Sequence, residues 1–280
     1  MPILLTILLF PESQHGAPID MWRRLIRGTS RSASPSGPGE PLEGIDTIDW
    51  SDLEHAYGPA ADVPGQLRDV AVGSSRQRSK ALSELWGNIH HQGTVYSASA
   101  PAVPFLARLA TSGAVPEGDR GQLVALISAI ASGSSYLEVH EPMIRGGLSE
   151  EERQEMETEL GWVRAAHEAA AAVAPRLLAE IGEASPAMLW PLVMLAAQVP
   201  EAAADAAPSL RQMAGSSTDP VRRKALELTL ALIDGTVTPA DLRGVLDVRP
   251  DLAELADSET WRTPAEGAKY LVMTLLEDAN

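Results

Sequence analysis

The 280-residue chain contains no cysteine, and only 4% of it is aromatic. Without cysteine there is no disulfide, no thiolate zinc site and no cysteine nucleophile, and such usage fits a reducing, cytoplasmic setting. Scarce aromatics leave the core to Leu, Val, Ile and Ala, side chains that suit closely approaching helices. Basic residues are also few: 22 Lys and Arg stand against 38 Asp and Glu, a net charge of −16. Binding phosphate backbones draws on clustered cations, so a nucleic-acid partner is not expected. A protein partner with a basic surface is the natural complement, although an acidic surplus can serve solvation alone.

A long apolar run is missing as well. The run Ile3 to Phe10 stops at Pro11, well short of the roughly 20 residues a membrane helix needs. It has neither a basic stretch before it nor a small-x-small cleavage site after it, so export is not expected. There is no Gly-rich phosphate loop, no G-x-S-x-G elbow and no H-E-x-x-H pair. The chain is therefore not expected to be an enzyme or to carry a cofactor.

Met21-Trp22-Arg23-Arg24-Leu25-Ile26-Arg27 is a short basic, amphipathic piece. One such turn supplies little membrane affinity, so membrane contact through it is not expected. From Thr29 to Gly44 the chain is mostly Ser, Pro and Gly and cannot offset its ordering entropy by burial. Residues 1–45 thus read as a disordered, variable segment and 46–280 as the folded body. The oligomeric state is not legible.

From Trp50 onward apolar residues recur three and four apart, the helical interval, and strand signals are nearly absent. Ala81, Leu82, Leu85, Trp86 and Ile89 form one stripe over 76–89. At 219–233 Asp219 is placed to cap and Pro220 to open a helix. Further helices are expected at about 98–111, 119–132, 149–181, 186–198, 203–214, 239–246 and 264–277. An apolar or small residue, Pro, any residue and Leu recur at Pro104, Pro175 and Pro208, with a longer version at Pro64. Each such Pro marks a helix entry or, as expected at Pro175, a kink in a longer helix. Pro64, Arg78 and Lys80-Ala81-Leu82 return as Pro208, Arg222 and Lys224-Ala225-Leu226, all 144 residues on. The fold class expected is all-α, a short solenoid of stacked helix pairs, because one such pair cannot bury its apolar face alone.

Residues 50–60 (Trp-Ser-Asp-Leu-Glu-His-Ala-Tyr-Gly-Pro-Ala), with Asp62-Val63-Pro64, Ala81 to Ile89, His91 to Tyr96 and Ala102 to Leu106, resemble the start of actinobacterial-type HEAT-repeat proteins. The likeness is strongest over 50–110. It implies HEAT-like helical repeats and scaffold behaviour, with no reaction to carry over; a bacterial immunity or regulatory role, in which an acidic body masks a basic partner, is an expectation from fold analogy alone.

Three polar features are the candidate sites. His91, Gln92, Thr94 and Tyr96 lie in an expected inter-helix turn, where they either contact a partner or satisfy backbone groups around Gly93. Glu151, Glu152 and Glu155 belong to the acidic run after Ser149, a helix-start composition that also offers an anionic face to a basic partner. The dyads His140-Glu141 and His167-Glu168 resemble the di-iron ligands of the deoxyhypusine hydroxylase family and define the alternative, a metal-dependent enzyme. That family needs four dyads in matched repeats and this chain has two, so no metal site is expected.

Overall fold

The computed structural model describes residues 40–141 and 147–277. The expectations for residues 1–39, including the basic piece at 21–27, lie outside them. The described chain is all-α, with short 3-10 turns between helices. It also holds two two-residue-per-strand hairpins that the periodicity did not reveal. In chain order the elements are β1 (Glu54–His55), β2 (Gly58–Pro59), α1 (Val63–Val72), α2 (Ser75–Asn88), β3 (His90–His91), β4 (Thr94–Val95), α3 (Ser99–Ala110), α4 (Glu117–Ala131), α5 (Tyr136–His140) and α6 (Glu150–Leu178). Then come α7 (Pro186–Gln198), α8 (Ala207–Ser216), α9 (Pro220–Ile233), α10 (Pro239–Arg243), α11 (Ala253–Ala256) and α12 (Pro264–Glu277). The chain divides within α6 into two compact units, one ending at Val173 and the other beginning at Ala174. Among the described residues no helix is long and apolar enough to cross a membrane.

In the first unit α1 packs on α2 and α3 on α4, while α1 also touches α3 and α2 touches α4. The two pairs thus lie side by side, with Leu67, Leu82, Leu85, Leu106, Leu123 and Ile127 sealed between them. Burying each such side chain is worth about 1.5–3 kcal/mol, enough to hold these short helices that would be marginal alone. Ser74 opens α2 through a capping box with Gln77. Ahead of the pairs, the indole of Trp50 is buried beside Phe105 and donates to the Ile45 carbonyl at 2.9 Å.

Pro104 corrects the entry rule. It sits inside α3, which begins five residues earlier at Ser99. Only Pro64 and Pro208 lie in a first turn, where the missing N–H breaks no helical bond. Pro175 falls inside α6, as expected of the kink position.

In the second unit α8 pairs with α9, and α9 also packs on α7 and α12. A simple row of pairs would keep α7 and α12 apart on opposite flanks of α9. Instead they meet: Lys269 Nζ donates to the Gln198 carbonyl at 2.8 Å and Gln198 Nε2 donates back to the Lys269 carbonyl at 3.2 Å. Burial holds the Lys269 amine below its ordinary pKa, partly opposed by Glu201. The helix expected from residue 203 starts at Ala207, because residues 200–206 wind as two 3-10 turns before Pro208.

Both copies of the repeated template fold alike. The pairs α1–α2 and α8–α9 each consist of a 10-residue and a 14-residue helix. Ala81 and Leu82 are buried in one, and Ala225 and Leu226 in the other. Their arginines differ: Arg78 pairs with Asp119 at 2.8 Å, whereas the guanidinium of Arg222 lies 4.9 Å over the Trp190 ring.

A tyrosine and histidine face as candidate functional site

The site is built around the turn between α2 and α3. His90 and His91 pair with Val95 and Thr94 in an antiparallel hairpin. The tip, Gln92-Gly93, takes positive φ at both residues (50° and 87°), the mirror-image turn whose twist matches that of the flanking strands. Thr94 is the centre: its hydroxyl donates to the His91 carbonyl at 2.7 Å, leaving Oγ1 to accept from the Tyr96 phenol at 2.8 Å. Burial first, and then the neighbouring Glu159, Tyr57 and Tyr136, raise the Tyr96 pKa, while the Thr94 bond opposes them. Tyr96 therefore stays a neutral donor.

The hairpin is joined to the chain beyond α4. Val95 N–H donates to the Ser134 carbonyl at 3.1 Å, and Ser134 N–H to the Gly93 carbonyl at 2.8 Å. This approach requires Gly133, where any Cβ would collide with the Val95 side chain. Ser135 then donates to Glu159 Oε2 at 2.6 Å, and Leu137 N–H to the same oxygen at 2.9 Å. Glu159, only 8% exposed, thus anchors the start of α5 on α6. A buried carboxylate holding charge-assisted bonds of this kind is costly to remove.

On this base stand two exposed tyrosines. Tyr57, 68% exposed at the β1–β2 turn, meets the His91 ring edge-on at 5.3 Å, and its hydroxyl lies 3.4 Å from Nδ1. Tyr136, 50% exposed, stacks on His140 with ring centres 4.0 Å apart. The β1–β2 hairpin is fixed from below: Tyr57 N–H donates to His55 Nδ1 at 3.0 Å, so Nε2 carries the proton given to Asp62 at 2.9 Å. Asp62 also accepts from Gln66 at 2.8 Å and Asn88 at 3.1 Å, tying the hairpin to α1 and α2. The half-buried His90 meets Trp86 edge-on, and burial pushes its pKa down to about 4, helped by the adjacent His91. Burial also lowers the pKa of His91, opposed by the Gly87 carbonyl. Three of the chain's four tyrosines and four of its six histidines meet in this one region of the first unit.

The predicted residues fare differently. His91, Thr94 and Tyr96 are brought together, with Gln92 exposed at the tip. Thr94, at 3% exposed, serves the interior. Glu152 closes a capping box with Ser149, and those bonds lower its pKa. Glu151 and Glu155 are exposed, and Glu155 lies one turn before Glu159 on the same face of α6. The acidic helix and the hairpin, separate features in the sequence, therefore adjoin through Glu159. Tyr57, Tyr136 and Glu159 were missed. Tyr57 next to Gly58 was a turn signal, but nothing local linked Tyr136 to it.

The His-Glu dyads do not form a cluster. His140 Nδ1 donates to the Tyr136 carbonyl at 2.7 Å and His167 Nδ1 to the Ala131 carbonyl at 3.1 Å, while Glu141 and Glu168 are exposed. Among the described residues no three His, Asp or Glu side chains are grouped to hold a metal ion. In the second unit a recess of about 110 Å³ is bordered by Leu178, Ile181, Asp205 and Ser209, well below the roughly 300 Å³ of a small-molecule site. Among known proteins, the chain matches no family model, no curated protein and no solved structure.

Proposed function

We propose that this chain is a HEAT-like protein-interaction scaffold whose first unit receives a basic segment of a partner protein on the Tyr57–His91–Tyr136 face. The observation that carries the reading is the exposure of Tyr57 (68%) and Tyr136 (50%) on a hydrogen-bonded, buried base. Exposed yet positioned aromatics are what interface anchors require, since little side-chain entropy is lost on binding. Their ring faces attract Lys and Arg. Glu151 and Glu155 on the adjoining helix add negative charge that steers such a segment in. A cytoplasmic bacterial regulatory or immunity role, in which an acidic body masks a basic effector, is the setting we propose for this activity; it rests on fold analogy alone.

The test uses two labelled peptides of equal length, one rich in Lys and Arg and one acidic, titrated at low and high salt. The basic peptide should bind and weaken with salt. A Tyr57→Ala/Tyr136→Ala variant should bind it about tenfold more weakly, as expected for two cation–π contacts of roughly 0.5–1 kcal/mol each. Equal binding of both peptides, or no loss in the variant, would remove the support for this reading.

A further inference from the structure

We propose that the face selects arginine over lysine in the basic segment it receives, because Tyr136 stacked on His140 forms a flat platform for a guanidinium. This rests on the face being a receptor for basic segments, and adds the cation it prefers and His140 as the residue that positions the platform.

The platform is built within α5. His140 Nδ1 donates to the Tyr136 carbonyl one turn earlier at 2.7 Å, which holds the imidazole against the phenol. The ring centres are 4.0 Å apart and the ring planes 28° from parallel. The start of the helix is held in turn, since Ser135 Oγ accepts from the Glu138 N–H at 3.1 Å and donates to Glu159 Oε2 at 2.6 Å. With His140 on one face of the phenol and half of Tyr136 open to solvent, the opposite face is available for stacking. A planar guanidinium can lie on that surface and keep its in-plane donors for carboxylates or water, whereas an ammonium is a compact, strongly hydrated point charge. Tyr57 is different: it meets His91 edge-on at 67°, and its ring attracts either cation.

The chain's own cations divide along the same line. Arg108 lies 4.7 Å over the Phe105 ring and Arg222 4.9 Å over the Trp190 ring. All three lysines go to oxygen instead: Lys80 to Glu84 at 2.7 Å, Lys224 to Glu227 at 2.9 Å and Lys269 to the Gln198 carbonyl at 2.8 Å. Glu159 offers no such oxygen to a partner's lysine, because it is buried and its Oε2 already accepts from Ser135 and Leu137. What the base presents at Tyr136 is therefore ring surface. The exposed Glu151 and Glu155 attract both cations alike, so they raise affinity without discriminating.

The test titrates the full chain with two peptides of equal length and charge, one carrying arginine and the other lysine at every cationic position. The arginine peptide should bind about fivefold more tightly, the gain from one exposed cation–π contact. Tyr136→Leu should bring that ratio to about one, since the apolar bulk remains but no ring is left to stack on. Tyr57→Ala should weaken both peptides and leave the ratio unchanged. His140→Ala should lower the ratio, and His140→Phe, which puts a stacked ring back, should recover it. Each ratio is taken within one chain, so a loss of folded protein affects both peptides equally. Equal affinities in the parent, a ratio that survives Tyr136→Leu, or no recovery in His140→Phe would overturn arginine selection by the stacked platform while the receptor reading stands. If neither peptide binds the parent, the receptor reading itself fails.

Discussion

The pairs α1–α2 and α8–α9 are built to one plan and end in different ways. Each has a Pro in the first turn of a 10-residue helix and a buried Ala-Leu step in a 14-residue helix. After α9 the chain turns at Asp234 and Gly235, and Asp234 is clamped by Arg211 at 2.9 and 3.0 Å. After α2 it runs instead into the His90–Val95 hairpin, and before α1 it makes the β1–β2 hairpin that presents Tyr57. Where α8 is preceded by two plain 3-10 turns, α1 is preceded by a hairpin anchored through His55 and Asp62. The shared part is packing and the divergent part is surface chemistry. Under the proposed function, the shared packing would form the supporting frame and the hairpins that the first pair adds would carry recognition.

The strongest way to test the common plan is to remove the same methyl groups from both copies. Leu82→Ala and Leu226→Ala delete side chains that are each 1% exposed, at equivalent positions. Each should cost about 2–5 kcal/mol in denaturant unfolding, the usual range for Leu to Ala in a core. A cost below about 1 kcal/mol at either position would break the equivalence.

The next test separates the pairs by pH. His90 is neutral in the fold with a pKa lowered from 6.5 to about 4. The unfolded chain takes up that proton at higher pH than the folded one, so the stabilising effect is complete above about 6.5 and is lost as pH falls toward 4. The full effect is on the order of 3 kcal/mol. The 144-residue offset places Asp234 opposite His90, so the second pair has no counterpart. A His90→Gln chain should therefore lose less stability than the parent between pH 6.5 and 4, read as Tm against pH. Parallel curves would show that His90 is not the titrating group.

A smaller effect concerns Gly87, whose counterpart at the same offset is Ala231. A Cβ at Gly87 would meet nothing within 4 Å. Gly87→Ala should therefore stabilise by about 0.5–1 kcal/mol, through helix propensity alone. Destabilisation would mean that the turn into the hairpin needs the glycine.

Helices were legible because their apolar faces repeat at the helical interval and their starts carry Ser, Asp and Pro, as at Ser74, Asp219 and Pro220. The hairpins were not, since two residues per strand leave no alternation to read. Gln92 also hides the turn, because its φ of 50° is one that glutamine seldom adopts, and only Gly93 pointed there. Half of the face was visible as a polar run. The rest depends on the distant contact of Ser134 with the hairpin and on Glu159, which in sequence is merely the last of an acidic series. Pro104 misled for a related reason: the motif around it copies that of Pro208, but its helix starts earlier.

The most direct measurement is a chemical-shift map of the full chain titrated with the basic peptide. Recognition by the added surface predicts shifts concentrated at Tyr57, His91, Gln92, Tyr136 and Glu155, with the equivalent turn at Asp234 and Gly235 unmoved. Shifts spread evenly over acidic residues of both units, or centred on the second pair, would contradict it.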